Sequence, residues 1–278
     1  MQTNGEHKRT VFYLSDRTGI TTEKLAHCLL TQFDNIVFER LVIPYLDTEE
    51  KAQKARQRID EFAERDGQRP LVFSTLVDDH LRAIIKQSNC YLIDFFDAFI
   101  NPLEVELGAA SSHAAGRTHS MQSYSDYKIR MDALNFALAT DDGTSTKRYQ
   151  DADVIVVGAS RSGKTPTCLY LALNNAIFAA NYPITEEDLP NDHLPFAIRA
   201  YRDKLVGLII EPHRLRQIRS ERRPDSRYAS LEQCRFEIDN LIALYRNNHI
   251  QYIDSTAMSI EEIAASIMHL RQLQRRAH

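Results

Sequence analysis

The sequence predicts an α/β protein built in two parts, and three observations lead to that reading. Short apolar runs alternate with segments of helical periodicity, the pattern of parallel strands joined by helices. The pattern breaks at 108–124, "GAASSHAAGRTHSMQSY", where small and polar residues dominate and apolar periodicity disappears. It resumes in "ADVIVVG", a continuous apolar run suited to a central strand buried on both faces. The expected division is an N-terminal α/β domain over 1–107, a linker and connecting helix over 108–150, and a C-terminal nucleotide-binding domain with a mainly parallel sheet over 151–278.

Each element follows in order. Val11 to Leu14 reads as a strand and Ser15 to Thr18 as a turn, after which Leu25, Leu29 and Leu30 recur at helical spacing. "NIVFERLVIPYLD" supplies a second strand, followed by a charged helix from about Thr48 to Arg65. "RPLVFSTLV" is a third strand, "DHLRAIIKQSN" a helix, and "YLIDFF" a short strand or helix start. Beyond the break, a helix is expected from about Asp126 to Ala139, then the turn "TDDGTSTK". After "ADVIVVG" come three more strand candidates, "AIFAANYPI", "KLVGLIIEP" and "IQYIDST". Ser259 and Glu262 in "SIEEIAASIMHL" make a capping box for the last helix.

Composition narrows the function classes. The 34 Lys and Arg against 38 Asp and Glu leave a net charge of −4, which gives no overall attraction to nucleic acid or to an anionic membrane. No apolar run approaches the roughly 18 residues that span a bilayer, and the polar "MQTNGEHKRT" does not resemble a signal peptide. Cys28, Cys90, Cys168 and Cys234 are scattered without CxxC pairing, which suits a reduced cytoplasmic protein without a zinc site.

Chemistry enters at "GASRSGKT", which matches GxxxxGK[ST] between a buried strand and a helix. In this P-loop, Gly158, Ala159, Ser160, Arg161, Ser162, Gly163, Lys164 and Thr165 would curl so that backbone N–H groups face phosphate oxygens. The helix N-terminus adds partial positive charge. Lys164 would reach the outer phosphate, and the Thr165 hydroxyl would bind Mg²⁺. Pro166 fits the first helical turn. The C-terminal half thus reads as a P-loop kinase-like domain.

The remaining candidates each have a plainer alternative. An acidic residue ending an apolar strand would complete a magnesium site, which nominates Asp16, Asp94, Glu211 and Asp254, with Asp141 and Asp142 also available. Asp142 is the first candidate for a catalytic role, although Asp-Asp-Gly is also a good turn sequence. The arginine-rich stretch "RLRQIRSERRPDSRY" would clamp a transferred phosphoryl group through Arg222 and Arg223, or else form a solvated helix face. "SDRTG" at 15–19 suits an anion-binding turn, or simple helix capping by Ser15, Asp16 or Thr18. His119 would serve as an acid–base group in the 108–124 segment, or as an ordinary loop residue; Cys168 reads as a packing residue.

Taken together, "FYLSDRTGIT", "RTH", "ALATDDG", "GASRSGKTPTCLYLA", "ANYP" and "SRYASLEQCR" resemble the bifunctional kinase/pyrophosphorylase regulators of phosphoenolpyruvate synthase and, more distantly, of pyruvate,phosphate dikinase. The resemblance runs from about Val11 to the final helix, and "RRPDSRYASLEQCR" favours the synthase branch. It implies an enzyme that uses ADP to phosphorylate, and so inactivate, a threonine of its target. It also implies removal of that phosphate by phosphorolysis, with inorganic phosphate as acceptor and pyrophosphate as product. The implied partner is phosphoenolpyruvate synthase as protein substrate, with neither nucleic acid nor membrane, and self-association is left open. Gly158 through Thr165 carry over as the ADP-binding positions, Lys164 serves both directions, and Asp142 then Asp16 are the candidates for the base. Two other classes fit the motif alone: a small-molecule kinase, and a nucleotide sensor without turnover.

Overall fold

The structure is a computed structural model that describes residues 7–111, 124–189 and 193–276; His119 and most of the 108–124 segment lie outside the described residues. The chain forms two compact units, one up to Ser120 and one from Met121, each an α/β layer structure around a four-stranded parallel sheet.

In the first unit the strand order is β2-β1-β3-β4, with β1 His7–Leu14, β2 Ile36–Ile43, β3 Leu71–Ser74 and β4 Tyr91–Asp94. Strand β1 is internal and pairs in parallel with both neighbours, Phe12 standing opposite Leu41 and Val72. Its apolar run is continuous because both faces are covered. Phe12 and Leu14 join the core formed with α2 (Glu49–Asp66) and α3 (Asp79–Lys86). Val11 and Tyr13 join Ala26 and Leu30 of α1 (Ile20–Leu30) and Phe95 of α4 (Phe95–Leu107). Local chemistry sets the helix ends. The Thr48 hydroxyl caps α2 by accepting from the Lys51 N–H, and Gly67 ends that helix in the left-handed conformation. Asp78 caps α3 and Asp94 caps α4 in the same way.

The second unit opens with α5 (Tyr124–Ala139), which packs on α6 (Lys164–Asn175) through the small side chains Ala133, Ala137 and Ala172. The turn "DDG" and residues Thr146–Asp151 form two short 3₁₀ segments. The sheet order is β6-β5-β7-β8, with β5 Val154–Gly158, β6 Ala179–Pro183, β7 Leu205–Ile209 and β8 Tyr252–Asp254. Strand β5 is buried throughout. Ile155 and Val157 face a core shared with α9 (Leu231–Asn247) and Leu215 of α8 (Pro212–Arg222). Val154 and Val156 face α6 and α10 (Ile260–Leu270). The capping box of Ser259 and Glu262 is present at the start of α10. No described helix is long and apolar enough to cross a membrane.

Candidate active site

Strand β5 delivers the chain to the loop Gly158–Thr165 at the middle of its sheet. Gly158 has no alternative there, since a Cβ would stand 2.7 Å from the Leu208 carbonyl oxygen on β7. Arg161 (φ 74°) and Gly163 (φ 94°) are both left-handed, which reverses the chain into α6. Such alternation of hand makes a concavity lined by N–H groups. Gly163 caps α6 without a side-chain hydrogen bond, so the helix presents its first N–H groups to a ligand.

The loop's carbonyls are tied down one by one. Ala159 accepts from the Lys164 ammonium at 3.0 Å, Ser160 from the Arg219 guanidinium at 3.1 and 3.3 Å, and Ser162 from the Ser255 hydroxyl at 3.2 Å. The Tyr228 hydroxyl donates to Ser160 Oγ at 2.9 Å. Ser162 is buried, and its hydroxyl has no partner within the protein.

Lys164 is only 4% exposed. Burial pushes its ammonium pKa down to about 8, against the opposing fields of Asp142 and Asp141. An approaching phosphate chain would restore the charge that burial disfavours.

The "TDDG" turn comes directly to this loop. Thr165 Oγ1 donates to Asp141 Oδ1 at 2.8 Å. Asn181, at 1% exposure in the middle of β6, organises the junction: its amide donates to the same Asp141 oxygen and, at 3.4 Å, to Thr165 Oγ1. Its side-chain oxygen accepts the Asp142 N–H at 2.9 Å, and its backbone carbonyl accepts from the Tyr149 hydroxyl at 2.8 Å. Asp142 is held left-handed (φ 48°) with its side chain exposed. The two adjacent carboxylates therefore differ in setting: Asp141 is bonded into the loop, while Asp142 faces solvent within electrostatic reach of Lys164.

The Thr165 hydroxyl and the Asp141 carboxylate are hard oxygen donors, of the kind Mg²⁺ takes when phosphates complete its shell. The residues present fit that ion. The other acidic candidates of this unit have different partners. Glu211 caps α8 and Asp254 accepts from Thr256. Asp16 and Asp94 belong to the first unit. There, burial raises both carboxyl pKa values, and one oxygen of each is buried without a partner.

Arg222 and Arg223 are exposed at the end of α8, whereas Arg219, one turn earlier, is fully buried and reaches the loop. Sequence reading did not single out Arg219 or Asn181. A signal existed for each. Leu215 and Arg219 share the buried face of α8 at i, i+4, and Asn181 interrupts the apolar run of a buried strand. Cys168, on α6, is buried in the core with its thiol directed at the Ala180 carbonyl, a packing position.

The family model described as kinase/pyrophosphorylase matches residues 11–268. A relative from Marinobacter nauticus is 52% identical over 96% of this chain and 99% of its own length. One from Pseudomonas aeruginosa strain PAO1 is 52% identical over 97% and 98%, and one from Legionella pneumophila strain Corby 50% over 97% and 99%. All three bear the same provisional name, phosphoenolpyruvate synthase regulatory protein. With the family model matched over residues 11–268 and relatives about half identical over nearly the whole chain, this protein belongs to the kinase/pyrophosphorylase family.

Proposed function

We propose that this chain is a cytoplasmic, bifunctional regulator of phosphoenolpyruvate synthase. It phosphorylates a threonine of that enzyme from ADP, and it removes the phosphate with inorganic phosphate, releasing pyrophosphate. The observation that carries the reading is the junction of Asp141, Asn181 and Thr165, which sets the exposed Asp142 beside the phosphate loop.

The loop N–H groups and the start of α6 hold the phosphates of ADP, and Lys164 neutralises charge that builds on the transferred group. Bound Mg²⁺, held by Thr165 and Asp141, would offset phosphate charge. In the forward direction Asp142 accepts the proton of the target threonine hydroxyl as its oxygen bonds to the β-phosphorus. The bond from that phosphorus to the bridging oxygen breaks, and AMP leaves. In the return direction inorganic phosphate takes the place of AMP's phosphate. Its oxygen bonds to the phosphothreonine phosphorus, the threonine oxygen leaves with a proton returned by Asp142, and pyrophosphate is the product. One cradle and one base then serve both reactions. The exposure of Asp142 suits a substrate that is itself a protein, since the attacking hydroxyl must enter from outside.

The test supplies β-labelled ADP, Mg²⁺ and purified phosphoenolpyruvate synthase, loaded with phosphoenolpyruvate to phosphorylate its catalytic histidine. Acid-stable label on threonine, released as pyrophosphate on adding phosphate, is the expected result. Label on a small metabolite from ATP would instead make the chain a small-molecule kinase. Nucleotide binding without any transfer would make it a sensor.

A further inference from the structure

We propose that Arg219 is a positioning residue that locks the phosphate loop in its binding shape, an inference that rests on the phosphate-loop reading above. A guanidinium carries five N–H donors. In Arg219 all five are engaged within the protein. Nε and Nη2 donate to the Ser160 carbonyl, and Nη1 donates to the Tyr228 carbonyl at 3.0 Å. Nη1 and Nη2 also form a forked pair with the two oxygens of Glu237, at 3.0 and 2.6 Å. No donor is left for a phosphate oxygen. The side chain is fully buried, and its guanidinium carbon lies 4.1 Å from the centre of the Tyr228 ring. Arg219 therefore acts on the ligand through the loop.

The way it acts follows from peptide geometry. Across a planar trans peptide the carbonyl and the next N–H point to opposite sides. Holding the Ser160 carbonyl toward α8 turns the Arg161 N–H away from α8. Arg161 is the loop residue held left-handed without being glycine, a strained conformation that persists only where neighbours enforce it. The fork from Arg219, together with the Tyr228 hydroxyl on Ser160 Oγ, supplies that enforcement. Glu237, itself bonded by Gln233 at 3.1 Å, keeps the guanidinium in plane. A lysine retains the charge but cannot bond Ser160, Tyr228 and both Glu237 oxygens from one rigid plane.

The full-length protein, as wild type and as Arg219→Lys, Glu237→Gln, Tyr228→Phe and Lys164→Ala, is titrated with Mg·ADP by calorimetry. KM for phosphate and for the target enzyme is then measured. Because charged hydrogen bonds to the loop are lost, Arg219→Lys is expected to weaken ADP binding about 10–100-fold. KM for phosphate should rise by a similar factor, while KM for the target stays unchanged. Glu237→Gln should shift the same two constants by less, and Tyr228→Phe by least. A merely structural role would lower the active fraction and leave all three constants in place. Wild-type affinity for both ligands in a folded Arg219→Lys protein overturns the proposal. If that variant shows no cooperative thermal transition, the same result in Glu237→Gln overturns it. Wild-type protein whose ADP binding is insensitive to Lys164→Ala would sink the loop reading and this inference with it.

Discussion

The two units share one strand order, and their differences separate what a topology provides from what side chains provide. In each sheet the strand that comes first in sequence lies inside, between the second and the third. Each of those strands leads through a short loop to a left-handed glycine that caps a helix without side-chain help, Gly19 (φ 81°) and Gly163 (φ 94°). The next two residues are Ile20 and Thr21 in the first unit, and Lys164 and Thr165 in the second. Ile20 is 55% exposed, while Lys164 is buried beneath its loop. In the first unit the crevice between β1 and β3 is closed by a hydroxyl pair, Thr22 with Thr75 at 2.6 Å, and Ser15 turns back on the Arg17 N–H. In the second, the corresponding loop is held open by Arg219, Ser255 and Lys164 on its carbonyls. A parallel sheet with this strand order makes a crevice at the carboxyl ends of its strands. What sets the second crevice apart is a lysine, a hydroxyl and a pair of carboxylates placed around it.

The largest expected effect would break the comparison if it appeared in the wrong unit. Lys164→Ala and Asp142→Asn should each lower both transfer rates by about 10³-fold, the scale of a lost charge stabiliser or general base. Asp16→Asn, in the first unit, should leave both rates within about threefold. A large loss of transfer chemistry in Asp16→Asn with nucleotide binding intact would assign the base to the first unit. Next come the glycines. At Gly158 an alanine Cβ would press on a backbone carbonyl 2.7 Å away, and urea unfolding should show a loss of about 3 kcal/mol. At Gly19 the nearest atom is a Val42 methyl carbon at 3.2 Å, so the left-handed backbone dominates and about 1–2 kcal/mol is expected. Equal losses would mean that β5 and β7 can part more easily than their pairing suggests.

The smallest effect concerns the strain of keeping Lys164 charged. Its native pKa of about 8 lies below the unfolded value of 10.5, so between those pH values the unfolded chain holds a proton that the native chain has released. Stability should therefore rise with pH across that window, and at neutral pH the buried charge works against folding. Lys164→Met should remove this slope and raise the neutral-pH melting temperature by a few degrees, while abolishing transfer. A flat pH profile in the wild type would show that the loop already solvates the ammonium.

Much of this was legible in the chain itself. Seven of the eight strands lie within the segments that predict them, while β1 begins four residues before its run Val11 to Leu14; β5 was the plainest, because a strand covered on both faces must be apolar along its whole length. The tight turn from β5 into α6 was legible because its glycines act through local backbone geometry. The acidic partner of the loop was less so. "TDDG" offers two carboxylates, and the bonds from Thr165 and Asn181 distinguish Asp141, tied to the loop, from Asp142, left exposed. The arginine-rich helix posed a similar choice. Arg222 and Arg223 stand in its densest charge, yet the buried face selects Arg219.

By itself the sequence determined most of the strands, the Ser259–Glu262 capping box and the tight turn from β5 into α6, since each depends on residues within a turn or two of one another. Helix α1, by contrast, is capped by Gly19 and not by the side chain of Ser15, Asp16 or Thr18. The tertiary structure decided which arginine holds the loop, which aspartate joins the threonine and which asparagine joins them. Those choices bring together residues 16 to 59 positions apart, and the packing of β6 and α8 around β5 makes them neighbours.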